Sequence, residues 1–127
     1  MKILVIGSGG REHAICATLQ RTSGNPLRLF CAPGNAGIAQ SAECVSINTD
    51  DSNALLSFAE SQQIDLTIVG PEAPLANGLV DIFADRNLRI VGPGSRAAQL
   101  EASKAFAKAF MDRHSIPTAR YRVATSF

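Results

Sequence analysis

An α/β fold built on an open parallel sheet of about five strands flanked by helices is what this sequence predicts, and three observations predict it. Short apolar runs bounded by glycine or proline alternate with segments of helical periodicity. The first run, Lys2-Ile3-Leu4-Val5-Ile6, is continuously apolar after its lysine, the pattern of a strand covered on both faces. The runs ending at Ile6, Ala32, Val69 and Val91 each lead into a glycine- or proline-rich loop. Right-handed crossovers would gather those loops at the carboxyl edge of the sheet, where open α/β sheets hold ligands.

The elements follow in order. Lys2 to Ile6 is the first strand, and Arg11 to Arg21 turns helical, with Ile15 and Leu19 on one side. Thr22-Ser23-Gly24-Asn25-Pro26 breaks that helix. Leu27 to Ala32 is a second strand, stopped by Pro33-Gly34-Asn35-Ala36-Gly37, and Cys44 to Ile47 a short third. Asn48-Thr49-Asp50-Asp51 offers N-cap chemistry for a helix over Ser52 to Gln62. Ile64 to Val69 is the fourth strand. Leu75, Leu79, Ile82 and Phe83 mark the buried face of one further helix, and Leu88 to Val91 the fifth strand. Beyond Gly94 the character changes: Ser95 to Glu101 and Ser103 to His114 are helical, Ile116-Pro117-Thr118 ends them, and Tyr121-Arg122-Val123 could open another strand.

Composition narrows the function classes. A chain of 127 residues fits one domain, and that length buries roughly 65–70% of its unfolded surface without metal or disulfide support. With 46% hydrophobic and 18% charged residues it has ordinary globular composition. A net charge of +1 without a dense Lys/Arg block gives no footprint for nucleic acid or for an anionic membrane. No apolar run approaches the roughly 20 residues of a membrane span, and the start does not read as a signal peptide, so a cytoplasmic, reducing compartment is the expectation. Cys16, Cys31 and Cys44 lack a C-x-x-C pair and read as buried free thiols. His13 and His114 lack a third ligand at metal spacing, so no metal residues are assigned.

The junction Gly7-Ser8-Gly9-Gly10-Arg11-Glu12-His13 is the most informative motif. Glycines let the backbone approach a ligand, and the start of the following helix favours an anion. A dinucleotide fingerprint fits poorly, because Glu12 stands where the third glycine belongs and Phe30-Cys31-Ala32-Pro33 where the ribose-binding acid belongs. A Walker A loop is excluded by the lack of G-K-[ST]. Two readings of the loop stand. In one, the amides of Gly9, Gly10 and Arg11 cradle the phosphate of a sugar phosphate, Arg11 adds charge, and Glu12 or His13 reaches neighbouring hydroxyl or amine groups. In the other it is a tight strand-to-helix turn with solvated charges.

The remaining loops carry the same duality. Pro33-Gly34-Asn35 could present amides to a ligand or simply reverse the chain. In Gly70-Pro71-Glu72-Ala73-Pro74 two prolines stiffen the loop, so Glu72 is either a binding carboxylate for an amine or ribose diol, or a glutamate favoured by the helix dipole. Lys104 stands on a helix face where a lysine is usually solvated.

Taken together, Val5 to Ala14, Ala32 to Asn35, Val69 to Leu75 and Leu100 to Lys108 closely resemble the phosphoribosylamine–glycine ligase family, in order and spacing over nearly the whole chain. The resemblance implies an ATP-grasp enzyme of purine biosynthesis that joins glycine to 5-phosphoribosylamine with hydrolysis of ATP, using magnesium or manganese. It implies that residues 1–100 are the Rossmann-like pre-ATP-grasp domain and that 101–127 begin an ATP-grasp domain. Gly9, Gly10, Arg11, Glu12, Pro33, Gly34, Asn35, Gly70, Pro71 and Glu72 would bind phosphoribosylamine, and Lys104 the nucleotide phosphates. Catalytic residues, the metal carboxylates and the remainder of the ligase chain are expected beyond Phe127, so the chain reads as an N-terminal fragment holding no cofactor and inactive by itself. The competing expectation is a stand-alone module that binds a nucleotide or sugar phosphate.

Overall fold

A computed structural model of the chain describes residues 1–124. Its sheet has five parallel strands in the order β3-β2-β1-β4-β5. The first three elements are β1 (Lys2–Gly7), α1 (Gly10–Thr22) and β2 (Arg28–Pro33). A 3-10 turn over Ile38–Gln40 precedes β3 (Glu43–Cys44), followed by α2 (Ser52–Gln62) and β4 (Leu66–Val69). Then come α3 (Glu72–Ala76), α4 (Leu79–Asp85), β5 (Ile90–Val91), α5 (Ser95–Ala102) and α6 (Lys104–Arg113). The parallel α/β class is therefore as expected. β1 is the central strand, in register with β2 from Lys2 opposite Arg28 to Gly7 opposite Pro33, and with β4 from Ile3 opposite Leu66 to Ile6 opposite Val69.

The period of two along β1 divides the core. Leu4 and Ile6 face a cluster with Phe30, Leu55, Ala59, Leu79 and Phe83, which α2 and α4 cover. Ile3 and Val5 face the opposite cluster of Cys16, Leu29, Cys31 and Ile38 beneath α1. Each large apolar side chain removed from water in this way stabilises the fold by about 1.5–3 kcal/mol. That explains the unbroken apolar run: both faces of the strand are interior. At the start of α2, Asp51 accepts the Ala54 N–H at 3.0 Å, the cap its sequence suggested.

Four expectations are corrected. The third strand is only Glu43–Cys44, because the Ile47 N–H turns back to the Val45 carbonyl at 2.7 Å and withdraws the chain from the sheet. Val45 and Ile47 still pack on the core. The helix expected over Leu75 to Phe83 is two helices, since Gly78, with φ of +84°, takes a left-handed conformation between them. Cys16 and Cys31 are buried free thiols, but Cys44 is free and exposed, because β3 lies at the sheet edge. Tyr121 opens no strand; its hydroxyl instead donates to Asp112 Oδ2 at 2.6 Å, folding the tail back on α6. No helix among the described residues is long and apolar enough to cross a membrane.

Candidate functional site

Because all five strands run the same way, the loops after β1, β2 and β4 converge on one edge. They are also bonded to each other. Gly34 N–H donates to the Gly7 carbonyl at 3.1 Å, and Gly70 N–H to the Ile6 carbonyl at 3.0 Å. Asn35 Nδ2 donates to the Ser8 carbonyl at 2.7 Å. Arg11 Nη1 donates to the Gly70 carbonyl, laying the guanidinium across from the first loop to the third.

Between the first and third of these loops lies an open cleft of about 310 Å³, lined by Gly9, Gly10, Arg11, Glu12, Pro71 and Glu72. Its wall is the start of α1, where Gly9 is the N-cap and no side chain caps the amides that follow. Gly10 and Arg11 thus present backbone N–H groups without helical acceptors at the positive end of a 13-residue helix. Arg11 and Glu72 are exposed, the latter in the first turn of the short α3. The cleft therefore combines backbone donors, one guanidinium and one free carboxylate. Such a set can hold an anionic group at one end and a hydroxyl or amine at the other.

Glu12 sits differently from what the sequence suggested. It is only 5% exposed, and its Oε2 accepts the Gly9 N–H at 2.6 Å. Gly9 has no side chain, so only the returning half of a capping box exists here. The Gly9 amide is thereby occupied and is not among the donors open to a ligand. The spacing of a glutamate three residues past an N-cap was a readable signal for this inward turn. His13, in turn, lies against Gly37, where an added Cβ would come 2.9 Å from His13 Cε1.

The other candidates are placed apart from the cleft. Pro33, Gly34 and Asn35 do not line it; Asn35 supports it from behind through Ser8. Lys104 is exposed at the start of α6 and lines a separate depression of about 330 Å³ with Ala105, Lys108, Tyr121, Arg122 and Val123. Lys108 Nζ there donates to Thr118 Oγ1 at 2.5 Å and to the Ala119 carbonyl at 3.1 Å, contacts that no sequence pattern announced. Beneath the first loop, the hydrogen bond with Cys16, and then burial, push the Cys31 thiol well above the ordinary thiol range. Among the described residues no group of three or more His, Cys, Asp or Glu side chains is placed to hold a metal ion, so these residues do not fit a divalent cation and no step is assigned to one.

Comparison with known proteins agrees with this architecture. Residues 1–101 match the family described as phosphoribosylglycinamide synthetase, N domain. The phosphoribosylamine–glycine ligase of Xanthomonas campestris is 54% identical over 127 residues, covering 98% of this chain and 29% of that protein. Its counterpart from Escherichia coli K12 is 54% identical over 126 residues, covering 96% and 29%. The crystal structure of the same ligase from Thermotoga maritima superposes with a TM-score of 0.63 at 25% identity, over 94% of this chain and 26% of that one. The chain thus spans about 29% of the length of the curated relatives it matches. With four-fifths of its residues matched in one continuous block on a parallel five-stranded sheet, the chain belongs to the phosphoribosylglycinamide synthetase N-domain family.

Proposed function

We propose that this chain is the part of a phosphoribosylamine–glycine ligase that holds phosphoribosylamine, and that the cleft between the β1 and β4 loops receives its phosphoribosyl group. The observation that carries the reading is the convergence of the uncapped Gly10 and Arg11 amides, the Arg11 guanidinium and the Glu72 carboxylate on one cleft. The phosphate would take the amides and the guanidinium, and Glu72 the ribose hydroxyls or the amine. Gly70 and Pro71 would shape the rim, and Pro33, Gly34 and Asn35 would support it from behind.

On this reading the whole protein joins glycine to 5-phosphoribosylamine with hydrolysis of ATP, in the cytoplasm, using the magnesium or manganese such ligases require. Lys104 would meet the nucleotide phosphates from its separate depression. A domain boundary near residue 101 is supported by the end of the family match there. It is supported also by α6, which packs on α5 and has no fully buried residue.

Titration of the 127-residue chain with ribose 5-phosphate, followed by amide NMR, tests the reading, with inorganic phosphate as a second probe. The Gly10, Arg11 and Glu72 signals are expected to shift. Shifts confined to the Lys104 to Val123 depression, or none, would sink it.

A further inference from the structure

Glu12 is a buried carboxylate that the cleft surrounds with glycine. A Cβ at Gly7 would come 2.6 Å from its Cγ and Cδ, one at Gly9 3.0 Å from its Oε2, and one at Gly70 would overlap its Oε1 outright. Gly7 ends β1, Gly9 belongs to the loop after it and Gly70 to the loop after β4, so the side chain lies in a slot whose walls come from both sides of the cleft. Gly7 has φ of +130°, a conformation that glycine accepts and other residues resist. Its neighbour Arg11 spans the same two loops above it through the Gly70 carbonyl.

A negative charge is a poor choice for the floor of an anion site, since it repels the ligand the site is to hold. The slot gives a reason for glutamate that does not involve charge. Its length lets one oxygen hold the Gly9 N–H at 2.6 Å while the rest of the side chain fills the space against Gly70. We infer that Glu12 is a positioning residue: by shape and by its hydrogen bond to Gly9 it sets the spacing of the two loops, and so the aim of the Gly10 and Arg11 donors, without itself contacting the ligand. This rests on the phosphate-site reading above and assigns one of its residues a different role.

Two conservative variants separate shape from charge. Glu12→Gln keeps the length and an oxygen for the Gly9 N–H but removes the charge, whereas Glu12→Asp keeps the charge and falls one methylene short. Binding of ribose 5-phosphate and of inorganic phosphate is measured by calorimetry on the full chain, with amide exchange at Gly9 and a thermal melt as controls. Positioning predicts that E12Q binds within about twofold of the parent or more tightly. E12D should bind about tenfold more weakly, the size of one lost hydrogen bond, with faster exchange at Gly9. E12D matching the parent while E12Q weakens would show that the charge is what matters and would overturn the role. A parent chain that binds neither probe would overturn the site reading and this role with it.

Discussion

The side-chain amide of Asn35 donates to the Ser8 carbonyl at 2.7 Å while its Oδ1 accepts the N–H groups of Gly37 and Ile38 at 2.8 and 2.9 Å. One side chain therefore folds its own turn and ties it to the loop after β1. Asn35→Asp keeps the acceptor and loses the donor, leaving Ser8, which is exposed, to water. It should cost about 1 kcal/mol, and Asn35→Ala, which strips both amides of their acceptor, roughly 1–3 kcal/mol. Urea unfolding that ranks the two in the reverse order would contradict this division of labour.

Gly70 and Gly10 should respond oppositely to alanine. At Gly70 the added methyl overlaps the Glu12 carboxylate, and overpacking of this kind costs about 1–3 kcal/mol. At Gly10, the first residue of α1, an added Cβ meets nothing within 4 Å, and the change should stabilise by roughly 0.4–1 kcal/mol through the unfolded chain. Denaturation midpoints that move in the same direction for both would refute the slot geometry.

Acid should loosen the start of α5. Asp81 Oδ2 accepts the Ser95 N–H at 2.9 Å, and that bond, followed by the Ser95 hydroxyl, holds the Asp81 carboxyl below its ordinary value of 3.8. A carboxyl depressed on folding contributes stability that is complete above its unfolded pKa and disappears as the pH falls through the folded value. Protection of the Ser95 amide, its exchange taken relative to the unprotected rate at each pH, should therefore persist above the ordinary carboxyl value of 3.8 and fall away as the pH drops below it. Asp81→Ala should remove that step; a step that persists in the variant would assign it to another group.

Tyr121 offers a spectroscopic readout of the tail. It is the single tyrosine in a chain without tryptophan, so its ionisation can be followed cleanly in the ultraviolet. The hydrogen bond it donates to Asp112 pushes its phenol above the ordinary value of 10.0. In Asp112→Asn the titration should return toward 10.0. Identical curves for parent and variant would mean that the tail does not lie on α6 in solution.

Much of the fold was legible because burial leaves a pattern. The strand around Leu4 and Ile6 and the helix from Ser52 to Gln62 announced themselves through apolar periodicity and, at Asp51, through cap chemistry. What misled was local turning that periodicity does not record. Leu75, Leu79 and Phe83 are all buried as a single helix would require, yet Gly78 divides them. Val45 and Ile47 are apolar as a strand would be, yet they pack on the core after the chain has left the sheet. The candidate site was legible as a set of loops, because glycine and proline mark where strands end. How those loops divide between lining the cleft and supporting it was not, since Asn35 acts through Ser8, and Lys104 lies in another depression.

Sequence alone determined the parallel sheet, its flanking helices and the rim at which its loops gather, since those follow from which residues must leave water and in what period. Tertiary structure decided which side chain does what at that rim. Glu12 read as a group reaching toward a ligand, but Gly7 and Gly70, 63 residues apart in the chain, close around it and turn it into part of the wall. A residue's neighbours across the sheet are set by strand order, and strand order is a property of the packed whole that no local spacing encodes.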